Sequence, residues 1–140
     1  MRFFVIAFSV ILLDQVSKLI IRNISLPISI LPGFLDITLI MNTGAGFGML
    51  QGKRWLLVWI SVVVIGLILY YLDRIPKDEK FAFALILGGA AGNLIDRLFI
   101  GAVTDFVNFS FWPAFNLADS AVTVGAALLI ILSLKNKEKN

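Results

Sequence analysis

Four apolar stretches, at about 3–22, 55–72, 81–100 and 117–134, take up most of this 140-residue chain. A helix needs about 20 apolar residues to cross a hydrocarbon core of about 30 Å. Each stretch is close to that length. Apolar residues make up 59% of the chain and charged residues 15%, where a soluble domain carries about 45–50% and about 25%. The spacing predicts an all-α membrane protein with four transmembrane helices, forming a single integral-membrane domain over 1–140. The first stretch has the position of a cleaved leader. It contains Asp14 and Lys18, however, and no small-residue cleavage site follows it, so it reads as a retained helix. No internal repeat or low-complexity linker interrupts the pattern.

The chain has no cysteine and no histidine. That removes disulfides, thiol nucleophiles, Ser-His and Cys-His pairs, and histidine-held metals. Any chemistry must use Asp, Glu, Lys, Arg, Ser, Thr, Tyr or backbone groups, and no metal or cofactor is expected. A formal charge of +3 is too small to point to nucleic acid. With four spans, Arg2, Arg74, Lys77, Lys80, Lys135, Lys137 and Lys139 fall on one side, and Arg22, Lys53 and Arg54 on the other. This bias predicts that both termini are cytoplasmic.

Two segments then lie outside. In the first, about 23–53, Leu35, Ile37, Leu39 and Met41 alternate with Asp36, Thr38, Ile40 and Asn42, a period of two that predicts a half-buried strand. The run Asn42-Thr43-Gly44-Ala45-Gly46-Phe47-Gly48 follows as a glycine-rich turn. A small sheet on the outer membrane surface is expected here. The second segment, about 101–116, carries Phe106, Phe109, Phe111, Trp112 and Phe115, residues suited to headgroup depth. The tail from Lys135 is expected to be frayed or disordered.

The charges inside the spans need explaining. Asp14 and Lys18 would each cost about 2.5–3.5 kcal/mol facing lipid at mid-membrane. Four residues apart in the favourable order, they form either a structural ion pair or part of a chemical site. In the third span, Gly89, Asn93, Asp96 and Arg97 fall on one helical face. Arg97 is near enough to the interface to snorkel instead. Asp105 and Asp119 flank the second outer segment, so neighbouring antiparallel helices would bring both carboxyls to one depth. Two carboxyls in a poorly hydrated site share a proton. The ionised one can then activate water while the other donates to a carbonyl oxygen. The plainer alternative is that Asp119 caps the fourth helix and Asp105 closes a turn.

At these residues the sequence resembles the lipoprotein signal peptidase (signal peptidase II) family. The resemblance rests on Asp14-Gln15-Val16-Ser17-Lys18, the 42–48 turn, Gly88-Gly89-Ala90-Ala91-Gly92-Asn93-Leu94-Ile95-Asp96-Arg97, Val103-Thr104-Asp105-Phe106 and Phe115-Asn116-Leu117-Ala118-Asp119. Gly46 departs from the family, which usually has Ala there. The resemblance implies an aspartic endopeptidase of the bacterial cytoplasmic (inner) membrane. Its substrates would be prolipoproteins carrying diacylglycerol on a cysteine, cut just before that cysteine. It implies Asp105 and Asp119 as the catalytic pair. Asn93, Arg97 and Asn116 would orient substrate or pair, and Asn42 and Gly44 would support the site, with Asp14, Lys18 and Asp96 as structural polar residues. It further implies an extracytoplasmic β-cradle matching 34–42, a short outer helix matching 106–115, and an active site near the outer surface.

A signal peptide reaches such an enzyme as a helix and must unwind locally to be cut. Its freed backbone groups then need protein cover, which Asn42, Asn93 and Asn116 could supply. Membrane lipids and the lipid-modified precursor are the expected partners, and one chain is expected to hold a complete site as a monomer. Two rivals remain: a small proton- or ion-coupled transport subunit using Asp14, Lys18, Asp96 and Asp119 as a relay, and a non-catalytic assembly factor.

Overall fold

The computed structural model describes residues 1–46 and 49–137. Phe47 and Gly48 of the glycine-rich turn lie outside the described residues, as do residues 138–140 of the tail, Lys139 among them. In chain order the elements are α1 (Arg2–Asn23), β1 (Ile28–Leu31), β2 (Leu35–Asn42), α2 (Arg54–Tyr70), α3 (Lys80–Phe99), β3 (Val103–Phe109) and α4 (Leu117–Lys137). Helices α1, α3 and α4 are long and apolar enough to cross a membrane. Helix α2 is apolar too but has 17 residues, ending two residues before the end of the expected stretch. The tail continues α4 through Lys137, past the expected fraying point.

The bundle is built inside out relative to a soluble protein. On α1 the buried residues are Phe3, Ala7, Val10, Asp14, Lys18 and Ile21, a stripe at intervals of three and four. Phe4, Phe8, Leu12 and Leu19 are exposed on the other side. A helix that sheds apolar residues outward and turns an Asp and a Lys inward is solvated by hydrocarbon. Helix α3 packs against all three other helices. Gly88 makes one of these approaches possible, because a Cβ there would come within 2.7 Å of both the Ala7 carbonyl oxygen and the Val10 Cβ on α1.

The three strands form one antiparallel sheet in the order β1-β2-β3. It lies at the end of the bundle where α1 and α3 finish and α2 and α4 begin. β2 falls on the alternating stretch, but its burial does not alternate cleanly. An irregularity between Ile37 and Ile40 interrupts pairing with β3 and shifts the faces of the pleat. The short outer helix expected over 106–115 is not there. Residues up to Phe109 are strand β3, whose Val, Thr and Phe content suits a pleated surface. The chain then turns so that Phe115 pairs with Val107. Phe34, Phe109 and Phe111 pack at ring-centroid distances of 5.5–5.7 Å and close that end of the sheet.

Candidate active site

The site begins with how α4 starts. Asn116 occupies the cap position, and its Oδ1 accepts the Asp119 N–H at 2.9 Å. Asp119 Oδ2 in return accepts the Asn116 N–H at 3.2 Å. This is a reciprocal capping box. The Asn116 Nδ2 also donates to Asp105 Oδ1 at 2.7 Å and to Asn93 Oδ1 at 3.2 Å. Asp105 is the third residue of β3 and closes no turn. Its Oδ2 accepts from Asn42 Nδ2 at 2.9 Å, delivered by the adjacent strand β2. Asp119 Oδ1 accepts from Asn93 Nδ2 at 2.8 Å. Each carboxyl therefore has a donor on both oxygens, and one asparagine serves both.

Asp105 is 2% exposed. Burial pushes its carboxyl up to about 6, and the negative charge of Asp119 adds to this, while hydrogen bonds from Asn42 and Asn116 and the charge of Lys18 pull the other way. Such a carboxyl exchanges its proton near neutrality, as an acid-base group must. Both aspartates line a cavity of about 620 Å³. Asn42, Asn93, Arg97 and Ser120 supply its other polar groups at this end, and Trp112, Phe115, Val122 and Val124 much of its apolar wall. Paired carboxyls beside an apolar groove suit hydrolysis of an extended backbone segment.

The charges of α1 sit behind this pair and do not line the cavity. Lys18 Nζ lies 2.8 Å from Asp14 Oδ2, 3.4 Å from Asp96 Oδ2 and 3.0 Å from Asn93 Oδ1, with all three charged side chains fully buried. Asp14 Oδ1 accepts the Ala118 N–H at 3.0 Å, tying α1 to the first turn of α4. The expected stripe on α3 divides. Asp96 turns toward α1 and β3, where Arg22 Nη2 meets it at 2.9 Å and the Thr104 N–H at 2.8 Å. Arg97 faces the cavity and donates to the Gly44 carbonyl at 3.2 Å. That carbonyl belongs to a turn whose own N–H groups are also in use, because Gly44 N–H donates to Asn42 Oδ1 at 2.9 Å.

Three contributors were not singled out from sequence. Arg22 was counted only as a flanking charge, yet it binds Asp96 and Thr104. Gln15 donates to Asp14 and to the Gly92 carbonyl. Thr104 Oγ1 receives Arg22 at 2.6 Å. A charge count offered one signal: Asp96 had no cation of its own once Lys18 was assigned to Asp14. The three asparagines expected to cover substrate backbone are hydrogen-bonded to the two carboxyls.

Apolar helices enclosing a buried polar core, with paired aspartates at the sheet end, define a multi-pass membrane protein with an aspartate-centred site. The family model described as signal peptidase (SPase) II matches residues 6–135. A relative from Halothermothrix orenii named lipoprotein signal peptidase is 46% identical over 133 residues, covering 91% of this chain and 92% of its own length. One of the same name from Bacillus pumilus is 44% identical, covering 99% and 96%. A solved structure described as a bacterial membrane enzyme, obtained by the in meso method at 2.3 Å, superposes with a TM-score of 0.92 at 34% identity, covering 99% of this chain and 91% of its own. The chain belongs to the signal peptidase II family and is a membrane peptidase of the aspartic type.

Proposed function

We propose that this chain removes signal peptides from diacylglyceryl-modified bacterial prolipoproteins, cutting just before the lipid-bearing cysteine with Asp105 and Asp119 as its catalytic pair. The observation that carries this reading is the shared asparagine. Asn116 bonds both carboxyls on the wall of one cavity, at the end of the bundle that holds the sheet. The ionised member takes a proton from water as the oxygen adds to the scissile carbonyl carbon. The protonated member gives its proton to the carbonyl oxygen. When the tetrahedral adduct collapses, the C–N bond breaks, the departing cysteine nitrogen takes up the proton that the first carboxyl drew from water, and a hydroxyl of the adduct returns a proton to the second carboxyl. The products are a signal-peptide carboxylate and a lipoprotein with a free amino terminus.

In this reading all four helices cross the membrane. α2 has 17 residues, about 26 Å of helix at 1.5 Å per residue, and the turn after Tyr70 adds length. Both termini are cytoplasmic in the bacterial inner membrane, and the three-stranded sheet is an extracytoplasmic cradle beside the scissile bond. Residues 1–140 act as one domain and one chain suffices as a monomer. The diacylglyceryl chains stay in lipid. The transport reading is not supported: Asp14, Lys18 and Asp96 are enclosed by one another, and Asp119 shares its asparagine with Asp105.

The test uses purified protein and a diacylglyceryl-modified precursor followed on a gel. Asp105→Asn and Asp119→Asn should each abolish cleavage while circular dichroism and elution stay native. The wild type should leave the unmodified precursor uncut. Full cleavage by either variant overturns the assignment.

A further inference from the structure

Lys18 is fully buried, and the mechanism above gives it no role. Its ammonium group has three donors, and the three partners are Asp14, Asn93 and Asp96. Around it the charges balance, since Asp14 and Asp96 face Lys18 and Arg22. Its charge reaches Asp105 as well as Asp119, so the field alone does not choose between them, and a choice must be directional.

The direction is set through Asn93. Its Oδ1 accepts from Lys18 at 3.0 Å and from Asn116 Nδ2 at 3.2 Å, and its Nδ2 donates to Asp119 Oδ1 at 2.8 Å. Turning this amide over would set its NH₂ against an ammonium and another NH₂, and its oxygen against a carboxylate. Lys18 thus excludes the flipped state. Asp119 also stands in the first turn of α4, where the partial positive charge of a helix N-terminus favours an anion. Asp105 stands on a strand and receives only the side-chain amides of Asn42 and Asn116.

We propose that Lys18 is a positioning residue: by fixing the Asn93 amide with its NH₂ on Asp119, it keeps Asp119 as the ionised, water-activating member and leaves Asp105 to carry the shared proton. This rests on the reading of Asp105 and Asp119 as the catalytic pair. Among the described residues, the charged groups that act on the pair are Lys18 and Asp14 from α1 and Arg97 from α3, while Asp96 turns away toward Arg22 and Thr104. Among the described residues, α2 contributes only the uncharged Ser61 to the cavity.

Lys18→Met alone would strand a negative charge in the core. The test variant is therefore Asp14→Asn/Lys18→Met, which leaves Asp96 with Arg22 and keeps an acceptor for the Ala118 N–H. Its kcat should fall at least about tenfold with KM within about twofold. The acid limb of its kcat profile should move to higher pH. Asp14→Asn/Lys18→Gln restores a neutral donor toward Asn93 and should recover most of the lost kcat. Wild-type kcat and profile in the Met variant, or equal behaviour of the Met and Gln variants, would overturn the proposal.

A second measurement does not need either double variant to fold. Infrared difference spectra of the wild type between pH 5 and 8 should show a protonated-carboxyl band that Asp105→Asn removes and Asp119→Asn retains. The reverse pattern overturns the allocation of the proton. Full cleavage by Asp119→Asn would instead sink the reading of the pair itself.

Discussion

Asn116 and Asp119 hold each other's backbone at the start of α4, with side-chain oxygens accepting reciprocal N–H groups at 2.9 and 3.2 Å. The same Asn116 reaches Asp105 at 2.7 Å, so the cap of the helix and the alignment of the two carboxyls are one construction. Asn116→Ser keeps a good cap but loses the donor to Asp105. It should retain a near-native melting midpoint and lose most cleavage. Asn116→Ala loses both and should also cost about 1 kcal/mol of stability. Full activity in the Ser variant would show that the amide does not organise the pair.

Gly92 marks the tightest fit between the buried ion pair and α3. A Cβ there would lie 2.6 Å from Asp14 Oδ2 and 3.2 Å from its Cγ. Asp14 cannot swing away without releasing Lys18 and the Ala118 N–H. Gly92→Ala should therefore destabilise the protein by roughly 1–3 kcal/mol, the usual range for overpacking. Gly66→Ala on α2 meets nothing within 4 Å and should be neutral or slightly stabilising. Equal melting midpoints for the two variants would contradict the packing described.

Asp105 links stability to pH. Its carboxyl rises from 3.8 to about 6 on folding, chiefly through burial. The folded chain therefore holds this proton more tightly than the unfolded chain. The resulting stabilisation is complete below about pH 4 and is lost as pH rises through about 6, a difference on the order of 3 kcal/mol. Measured against Asp105→Asn, wild-type stability in detergent should decline between pH 4 and 7. A difference that stays flat across that range would rule out the raised value.

Arg22 is the second cation of the buried cluster, and its side chain is 22% exposed where Asp96 is fully buried. Arg22→Met leaves Asp96 with Lys18 alone, and Lys18 is already shared with Asp14. Removing one partner of a buried pair costs about 3 kcal/mol. A drop of that order in denaturant stability is expected, and Arg22→Lys should recover part of it. An unchanged midpoint would mean that the pair contributes nothing to the fold.

What could be read from the chain alone were features whose signal is local. Apolar length marked the helices to within a few residues, because a turn of helix and a thickness of hydrocarbon are both short-range quantities. Alternation marked β2 for the same reason. The Phe-rich run after Asp105 is a strand where the family resemblance implies a short helix. Its state depends on pairing with β2, which reaches it from more than sixty residues away in sequence, as in Asn42 to Asp105.

The two aspartates and the asparagines around them could be named from sequence, but not which amide meets which oxygen, nor the partners of the buried charges behind them. Nothing near Asp96 announces Arg22, 74 positions earlier, and nothing near Asp14 announces the Ala118 N–H, 104 positions later. Residue types and spacings determined that this chain must lie in a membrane, hide its charges and do any chemistry without thiols or imidazoles. Only the tertiary structure decided which donor faces which oxygen. A buried polar group must be satisfied by whatever the packing brings within about 3 Å, and that choice is made by helices meeting rather than by neighbours along the chain.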